Sequence, residues 1–426
     1  MSHLLTALRH EFGWRDEPFR ARWSPLQSPS PATFISFSPR GRFLAVGGED
    51  GVARVWELHG TNRSFVCALS PPEGAADTDA PAGARAVATL AWSGSSRVLF
   101  VASMDGLLVA HDVGAGAALR AWSLGPVLGV GVAPRRLRPH PSNLGTLIIV
   151  PTAGMPWLVD VCGGGGVRQL SESLLPPPIS KKMRTALARR GATGAGRGSS
   201  ALFCDAAWVP SGEGARADVF IFTSRGDVTR LRIGDPSSSS GWAVDGASGV
   251  VRVAYALTPP PIIPPELCVR GTQAMVTTRA GLCVFDAGAA VLAVEGHGAE
   301  RYAETVDNTS LVSAHFGAGG RIFALPHEHS GHMAGGVYAF RRGVVGGIRL
   351  KPAPPESGGI VHFDTASHAR VLAGVGVRGT VFILQEPVIT RWPGPMYPPG
   401  FFLTTTNVEC VPLLPLSHAA HRCARD

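Results

Sequence analysis

Apolar residues fall in short runs along this chain, and each run is closed by glycine, proline or aspartate. The clearest stretch is 34–58, FISFSPRGRFLAVGGEDGVARVWEL. Phe34 and Phe37 lead into the turn Ser38-Pro39-Arg40-Gly41, residues 43–47 form a second apolar run, and Glu49-Asp50-Gly51 returns the chain into Val52, Val55 and Trp56. Runs rich in β-branched and aromatic residues, separated by such turns, predict three consecutive antiparallel strands. So small a sheet buries too little to stand alone, so the unit has to recur or be covered.

It recurs. Residues 97–113, RVLFVASMDGLLVAHDV, repeat the strand, Asp-Gly turn and strand, with TLAWS at 89–93 before them. Further copies occupy 219–233, 274–286 and 371–384; one with a long inserted turn spans 322–340, and a degenerate one spans 147–161. Trp56-Glu57, His111-Asp112 and Phe285-Asp286 stand where a Trp-Asp signature belongs. The units number seven, and closing such sheets into a ring leaves only short, protected edges. The fold expected is therefore all-β, a seven-bladed WD-repeat β-propeller.

The propeller is expected over 31–384, after a leader at 1–30 with a short helical start. Low-complexity or polar insertions are expected at 70–85, 176–200, 235–249 and 259–265. Residues 385–426 lack the strand-turn-strand pattern and are expected outside the ring, as an irregular extension.

The chain has 426 residues, 45% of them hydrophobic, ample for a core of this kind. Its formal charge of +8 suits an anionic partner, nucleic acid or a membrane surface. Part of that charge is an excess of arginine, since lysine occurs only at 181, 182 and 351. The cysteines at 67, 162, 204, 268, 283, 410 and 423 contain no Cys-x-x-Cys pair, so neither a zinc ribbon nor a disulfide framework is indicated and a reducing compartment is expected. The amphipathic, charged start MSHLLTALRHEFGWRDEPFR is not a signal peptide. The most apolar run, 144–162, is broken by Pro151, Pro156 and Asp160, and no membrane span is expected.

Catalytic signatures are missing. No lysine follows a glycine, which excludes a phosphate loop; no Gly-x-Ser-x-Gly elbow occurs; and the glycines at 163–166 precede no helix-forming segment. No enzyme activity, cofactor or small-molecule substrate is expected. His327, His329 and His332 in HEHSGH have the chemistry of a small metal site, or form a polar hairpin insertion; the second is the expectation, so no metal is predicted. The basic loop with Lys181, Lys182, Arg184, Arg189 and Arg190 reads as a nuclear-import signal, a nucleic-acid contact or a solvated loop. The second hairpin turns share one face of a propeller. Asp50 and Asp105 would make one sector of it acidic, and Arg225, Arg279 and Arg378 another basic, placed to contact phosphates.

With these residues in place, the chain resembles the WD-repeat subunit of COMPASS-type histone methyltransferase complexes, the retinoblastoma-binding protein five family. Three segments carry the resemblance. The first is LLTALRHEFG ahead of FSPRGRFLAVGGEDGVARVWEL; the second runs from LAWSGSSRVLFVASMDGLLVAHDV through Pro126-Val127-Leu128 to the join at His140-Pro141. The third is Trp392, then Pro399 and Phe401, then Asn407-Val408-Glu409, similar to the family's activation segment, with Cys410 in place of its tyrosine. The acidic hinge that follows in the family is absent here, where the tail reads VPLLPLSHAAHRCARD. The resemblance implies a non-catalytic nuclear scaffold. Its post-propeller residues Trp392, Phe401, Asn407, Val408 and Glu409 would hold a SET-domain methyltransferase and an Ash-two-type subunit, beside another WD-repeat subunit. The substrate would be the nucleosome and the product methylation of lysine four of histone three.

A rival resemblance rests on Phe340-Arg341-Arg342-Gly343, a motif of phosphoinositide-binding autophagy propellers. There the motif ends a blade's outermost strand. Here GGVYAFRRG reads as a third strand, with 346–350 supplying a fourth, so the register is off by one strand. A generic WD-repeat interaction scaffold is the third alternative.

Overall fold

The structure is a computed structural model. It describes residues 22–59, 62–72, 74, 83, 85–129, 132–142, 145–161, 166–170, 204–209, 217–223, 227–233, 244–252, 266–271, 273–278, 281–286, 300–302, 311–317, 321–326, 336–341, 348–350, 357–366, 371–385, 389–390 and 403–404.

A first strand, β1 (Arg22–Leu26), precedes the blades. Blade one is β2 (Ala32–Phe37), β3 (Phe43–Gly48), β4 (Ala53–His59) and β5 (Asn62–Leu69); blade two is β6 (Val87–Trp92), β7 (Val98–Ser103), β8 (Leu107–Asp112) and β9 (Ala117–Ser123). A helical turn, Gly125–Leu128, joins blade two to blade three. Blade three is β10 (Pro134–Pro139), β11 (Thr146–Pro151), β12 (Trp157–Asp160) and β13 (Val167–Gln169). Blade four is β14 (Cys204–Val209), β15 (Ala217–Thr223), β16 (Asp227–Ile233) and β17 (Val244–Arg252). Blade five is β18 (Leu267–Arg270), β19 (Gln273–Thr278), β20 (Gly281–Asp286) and β21 (Glu300–Tyr302). Blade six is β22 (Leu311–Phe316), β23 (Arg321–Pro326), β24 (Tyr338–Arg341) and β25 (Ile348–Arg349). Blade seven is β26 (Ile360–Thr365), β27 (Val371–Gly376) and β28 (Val381–Gln385), completed by β1 as its outermost strand.

Seven four-stranded antiparallel sheets thus form the all-β propeller that the repeats predict. Their first strands touch one another in a closed circuit, β2, β6, β10, β14, β18, β22, β26 and back to β2, so these strands surround the axis. Every blade interface carries its own apolar cluster. Ile35, Leu44 and Trp56 meet Val375, Val381 and Ile383 between blades one and seven, for example. A middle strand therefore buries both faces, which is why Leu147, Ile148, Ile149 and Val150 form an unbroken apolar run instead of an alternation.

The expected leader needs correcting over 22–26. Trp23 pairs with Leu384 and Leu26 with Val381, so this segment is part of the ring and closes it noncovalently. Leu26 is buried in the cluster between blades seven and one, while Arg63 of blade one donates to the Pro25 carbonyl at 2.7 Å. The insertion expected at 235–249 also ends earlier, because β17 begins at Val244. Beyond the ring, β29 (Ile389–Thr390) pairs with β30 (Leu403–Thr404), a short ladder that the pattern in 385–426 did not disclose. The insertions at 176–200 and 259–265 lie outside the described residues.

Candidate functional site

The inner strands share a repeated irregularity. In five blades the ladder to the second strand skips one residue near the start: Thr33, Ala88, Arg135, Val312 and Val361. Such a bulge re-aims the side chains that follow. Registers of the first two strands then align the blades. Phe34 faces Gly47, Thr89 faces Ala102, Arg136 faces Val150, Asp205 faces Phe222, Ser313 faces Leu325 and His362 faces Val375. Glu266, whose carbonyl accepts from the Thr277 amide, holds this place in blade five. Because side chains alternate along a strand, a second tier lies two residues further on: Ser36, Ala91, Arg138, Ala207, Cys268, His315 and Asp364.

Charge is concentrated on one side of this double tier, where opposite charges face one another. Arg136 of blade three reaches Glu266 of blade five at 3.1 Å, and its guanidinium carbon lies 5.1 Å from the Phe34 ring centroid of blade one. Arg138 lies 3.6 Å from Asp205 and donates to the carbonyls of Ala206 and Leu267 at 3.2 and 3.1 Å. Asp205 in turn accepts from the amides of Ala206 and Leu267. His315 of blade six sits between Glu266 at 3.8 Å and Asp364 of blade seven at 3.4 Å, and Asp364 accepts from the Phe37 amide of blade one at 2.7 Å. The network ties blades three to seven to blade one across the axis.

Electrostatics follow from burial. Burial pushes the Glu266 carboxyl up, but Arg136, His315 and Arg138 outweigh it and hold the group well below the usual carboxylate range. Burial raises Asp364 on balance, despite His315 and the two amides it accepts from. His362, against Phe34 at 4.0 Å between ring centroids, is pushed well below the ordinary histidine value by burial. Burial also pushes the Cys268 thiol up to about 11, which leaves it without thiolate character near neutrality.

One trio meets a distance test for catalysis: Ser313 Oγ lies 3.2 Å from His315 Nε2, and His315 Nδ1 lies 3.4 Å from Asp364. The serine, however, is only 5% exposed. Glu266 approaches the same ring nitrogen and interacts with the Ser313 hydroxyl. A carboxylate therefore stands where a substrate carbonyl would have to sit. The trio belongs to the network that holds the axis.

The turn face is better placed for contact. Asp50 accepts two bonds from Arg54 of its own blade, one at 3.1 Å, and this arginine holds its carboxyl below the usual range. Asp105 accepts from the Ser103 hydroxyl and the Leu107 amide. Both acids build their turns, and the Asp50 charge is matched by Arg54 within blade one. Arg378 lies exposed in the turn between β27 and β28. Arg225, Arg279, Lys181, Lys182 and Arg184 lie outside the described residues, as do Trp392, Phe401, Asn407, Val408 and Glu409 and the histidines at 327, 329 and 332.

Phe340 is buried in β24, the third strand of blade six, and β25 follows it as the fourth, which is the register read from the sequence. Arg342 and Gly343 lie outside the described residues. The worn signatures have a structural use. Glu57 and Asp112 each pair with the arginine just ahead of the second strand, Arg42 and Arg97, an equivalent ion pair in blades one and two. The join at His140-Pro141 is also built in: His140 packs edge-on against Trp208 at 4.6 Å, and Trp208 donates to the Arg138 carbonyl at 2.7 Å. Trp92 makes the matching bond to Ser36 at 3.0 Å. The axial residues were missed in the sequence, although PRRLRP at 134–139 offered a signal, three arginines in one six-residue segment inside the span of the propeller.

The WD domain, G-beta repeat family matches residues 25–57, the end of β1 through most of β4. No curated protein matches the chain. Among solved structures it is similar to the β-propeller domain of Cps50 (Swd1) from Myceliophteria thermophila, 16% identical over 86% of this chain and 99% of that one, with a TM-score of 0.60. It is also similar to Sqt1 from Saccharomyces cerevisiae, 13% identical over 86% of this chain and 98% of that one, with a TM-score of 0.50. At these identities the likeness is one of fold: a propeller carrying a WD repeat.

Proposed function

We propose that this protein is a non-catalytic, nuclear WD-repeat scaffold of a COMPASS-like histone methyltransferase complex acting on lysine four of histone three. In this reading the propeller is the platform, and residues 385–426 bind the SET-domain methyltransferase and an Ash-two-type subunit through Trp392, Phe401, Asn407, Val408 and Glu409. The observation that carries it is the order of motifs along the chain: LLTALRHEFG, the first blade, the His140-Pro141 join, and Trp392 through Glu409 after the last blade. A propeller like that of Cps50 (Swd1), covering nearly all of that domain, supports the architecture on which the order depends. The basic turns at Arg225, Arg279 and Arg378, with the loop bearing Lys181, Lys182 and Arg184, are the proposed nucleosome contacts.

Affinity purification of the tagged protein from its own cells, with mass spectrometry, tests the reading. A SET-domain protein and an Ash-two-type partner in stoichiometric amounts are expected, and Trp392→Ala should deplete both. Recovery of autophagy proteins and phosphoinositide, or of an unrelated set, overturns it. Reversing Arg225, Arg279 and Arg378 to glutamate should weaken DNA binding and flatten its salt dependence.

A further inference from the structure

Serine precedes proline at 24, 28, 30, 38 and 70, and the first three of these pairs fall in SPLQSPSP, residues 24–31. That segment is most of β1 and its passage into β2, where the ring closes. The residue ahead of a proline is held extended, and proline itself has no amide hydrogen to give a ladder. Ser24-Pro25 is thus an extended serine in an outermost strand, the form in which a proline-directed kinase takes its substrate. β1 pairs with β28 alone, so it can leave and rejoin the ring while the other strands stay paired.

Among the serines of this segment, Ser24 alone faces a cation. Its hydroxyl donates to the Ile383 carbonyl across the ladder at 3.3 Å and accepts from Arg63 Nη2 of blade one. Arg63 is half-buried, and its Nη1 donates to the Pro25 carbonyl at 2.7 Å and reaches that of Ser24 at 3.5 Å. Backbone carbonyls therefore hold and aim the guanidinium. No described carboxylate pairs with it, and burial pushes it below its ordinary value with no acid offsetting the shift. The acids of the adjoining elements are placed elsewhere. Glu57 pairs with Arg42, Asp50 with Arg54 and Asp364 with His315. Glu49 lies in the turn that enters β4, whereas Arg63 pairs with Leu58 near that strand's other end. The Ser28 hydroxyl is buried without a hydrogen-bond partner among the described residues. Ser30 adjoins Glu49, whose amide donates to the Pro31 carbonyl at 2.9 Å.

We propose that Ser24 is a phosphorylation site for a proline-directed serine kinase, and that Arg63 receives the phosphate and latches the ring shut. In the transfer, Ser24 Oγ bonds to the γ-phosphorus of ATP while the bond from that phosphorus to the bridging oxygen breaks. ADP leaves, and the hydroxyl proton passes to the kinase's base. The kinase reaches Ser24 while β1 is detached. On reclosure, one long hydrogen bond to Ile383 is exchanged for charge-assisted bonds from a guanidinium already in position. The latch joins the outermost strands of blades seven and one, β1 and β5. It acts on closure of the ring and is independent of the post-propeller segment.

The test compares the full chain with and without phosphoserine installed at position 24, in the wild type and in Arg63→Ala. With the phosphate, hydrogen exchange at the amides of β1 and β28 should slow about tenfold or more in the wild type. It should not slow in Arg63→Ala. Each background is its own reference, so any loosening by Arg63→Ala itself cancels. The phosphorus resonance should titrate below the ordinary second phosphate value of about 6, and return toward it in Arg63→Ala. In a second arm, a mitogen-activated kinase with ATP should place phosphate on Ser24 of the unmodified full chain, located by mass spectrometry of the digest. Leu26→Ala, which loosens the seating of β1, should speed that labelling. Exchange that is unchanged or faster with the phosphate, or equal slowing in both backgrounds, overturns the proposal. So does a Ser24 that stays bare under the kinase, whether or not Ser28 and Ser30 are labelled.

Discussion

Ser96 occupies a backbone conformation meant for another residue. Its φ is 62°, where Gly41 in the equivalent turn of blade one has 70°. Both close the turn in the same way, the amide donating to the carbonyl three residues back, Ser38 at 2.7 Å and Ser93 at 2.9 Å. A Cβ in this region costs about 1–2 kcal/mol, partly offset by the lower chain entropy of serine. Ser96→Gly is therefore expected to raise stability by about 0.5–1 kcal/mol, read as a shift of the urea midpoint at constant slope. His111 makes the opposite point. It stands where blade one has Trp56, is 1% exposed, and is pushed by burial down to about 4. Between that value and the ordinary 6.5, the unfolded chain binds the proton and the folded chain does not. Stability should accordingly be flat above pH 6.5 and fall below it, with His111 contributing about 2 kcal/mol of the loss by pH 5. His362, lowered in the same sense, adds to the slope. His111→Phe should flatten the curve of unfolding free energy against pH between 7 and 5; an unchanged slope would mean that the ring is not buried in solution.

At the scale of the element, the ring depends on β1. Its pairing with β28 supplies the fourth strand of blade seven, and Leu26 completes the cluster shared with blade one. Leu26→Asp is expected to cost about 2–4 kcal/mol, by losing apolar contact and burying a charge. Hydrogen exchange should locate the damage: the amides of β28 and β1 should lose protection first, those of blades three and four last. Uniform loss of protection would show that the closure is not a separate weak point. The sequence hid this strand because RWSPL is short, contains a proline and stands far in sequence from its partner. Edge strands tolerate proline, since one side of their ladder is empty. Bulges were equally illegible. Val66 and Leu119 are extra residues at matching places in the outer strands of blades one and two, a kink that discourages edge-to-edge pairing.

At the scale of the whole molecule, the axis is held by charge as well as by apolar contact. Glu266→Gln should cost about 3–5 kcal/mol, because Arg136 is left buried without its counter-charge. The double variant Arg136→Met with Glu266→Leu should recover most of that loss, so a denaturation cycle of the two single and one double variant measures the coupling. Additive losses would show the pair to be energetically independent. Acid should act late on this pair. Because the folded carboxyl is held well below its unfolded value, its contribution is complete above the ordinary carboxylate range and disappears only as the pH falls through the lowered value. The histidines therefore govern mild acid and Glu266 governs strong acid.

The amino-acid sequence by itself determined the blades: where apolar runs recur between Asp-Gly and Pro-Arg-Gly turns, strand pairing is local, and local pattern is what a sequence displays. Their number, the worn signatures and the third-strand position of Phe340 followed from the same spacing. Ring closure and the two axial tiers were decided only by tertiary structure. Each joins residues distant in sequence, Arg22 with Gln385, Arg136 with Glu266 and Phe34, Pro31 with Gly379. No periodicity marks such partners, because they become neighbours only once the blades have closed around one axis.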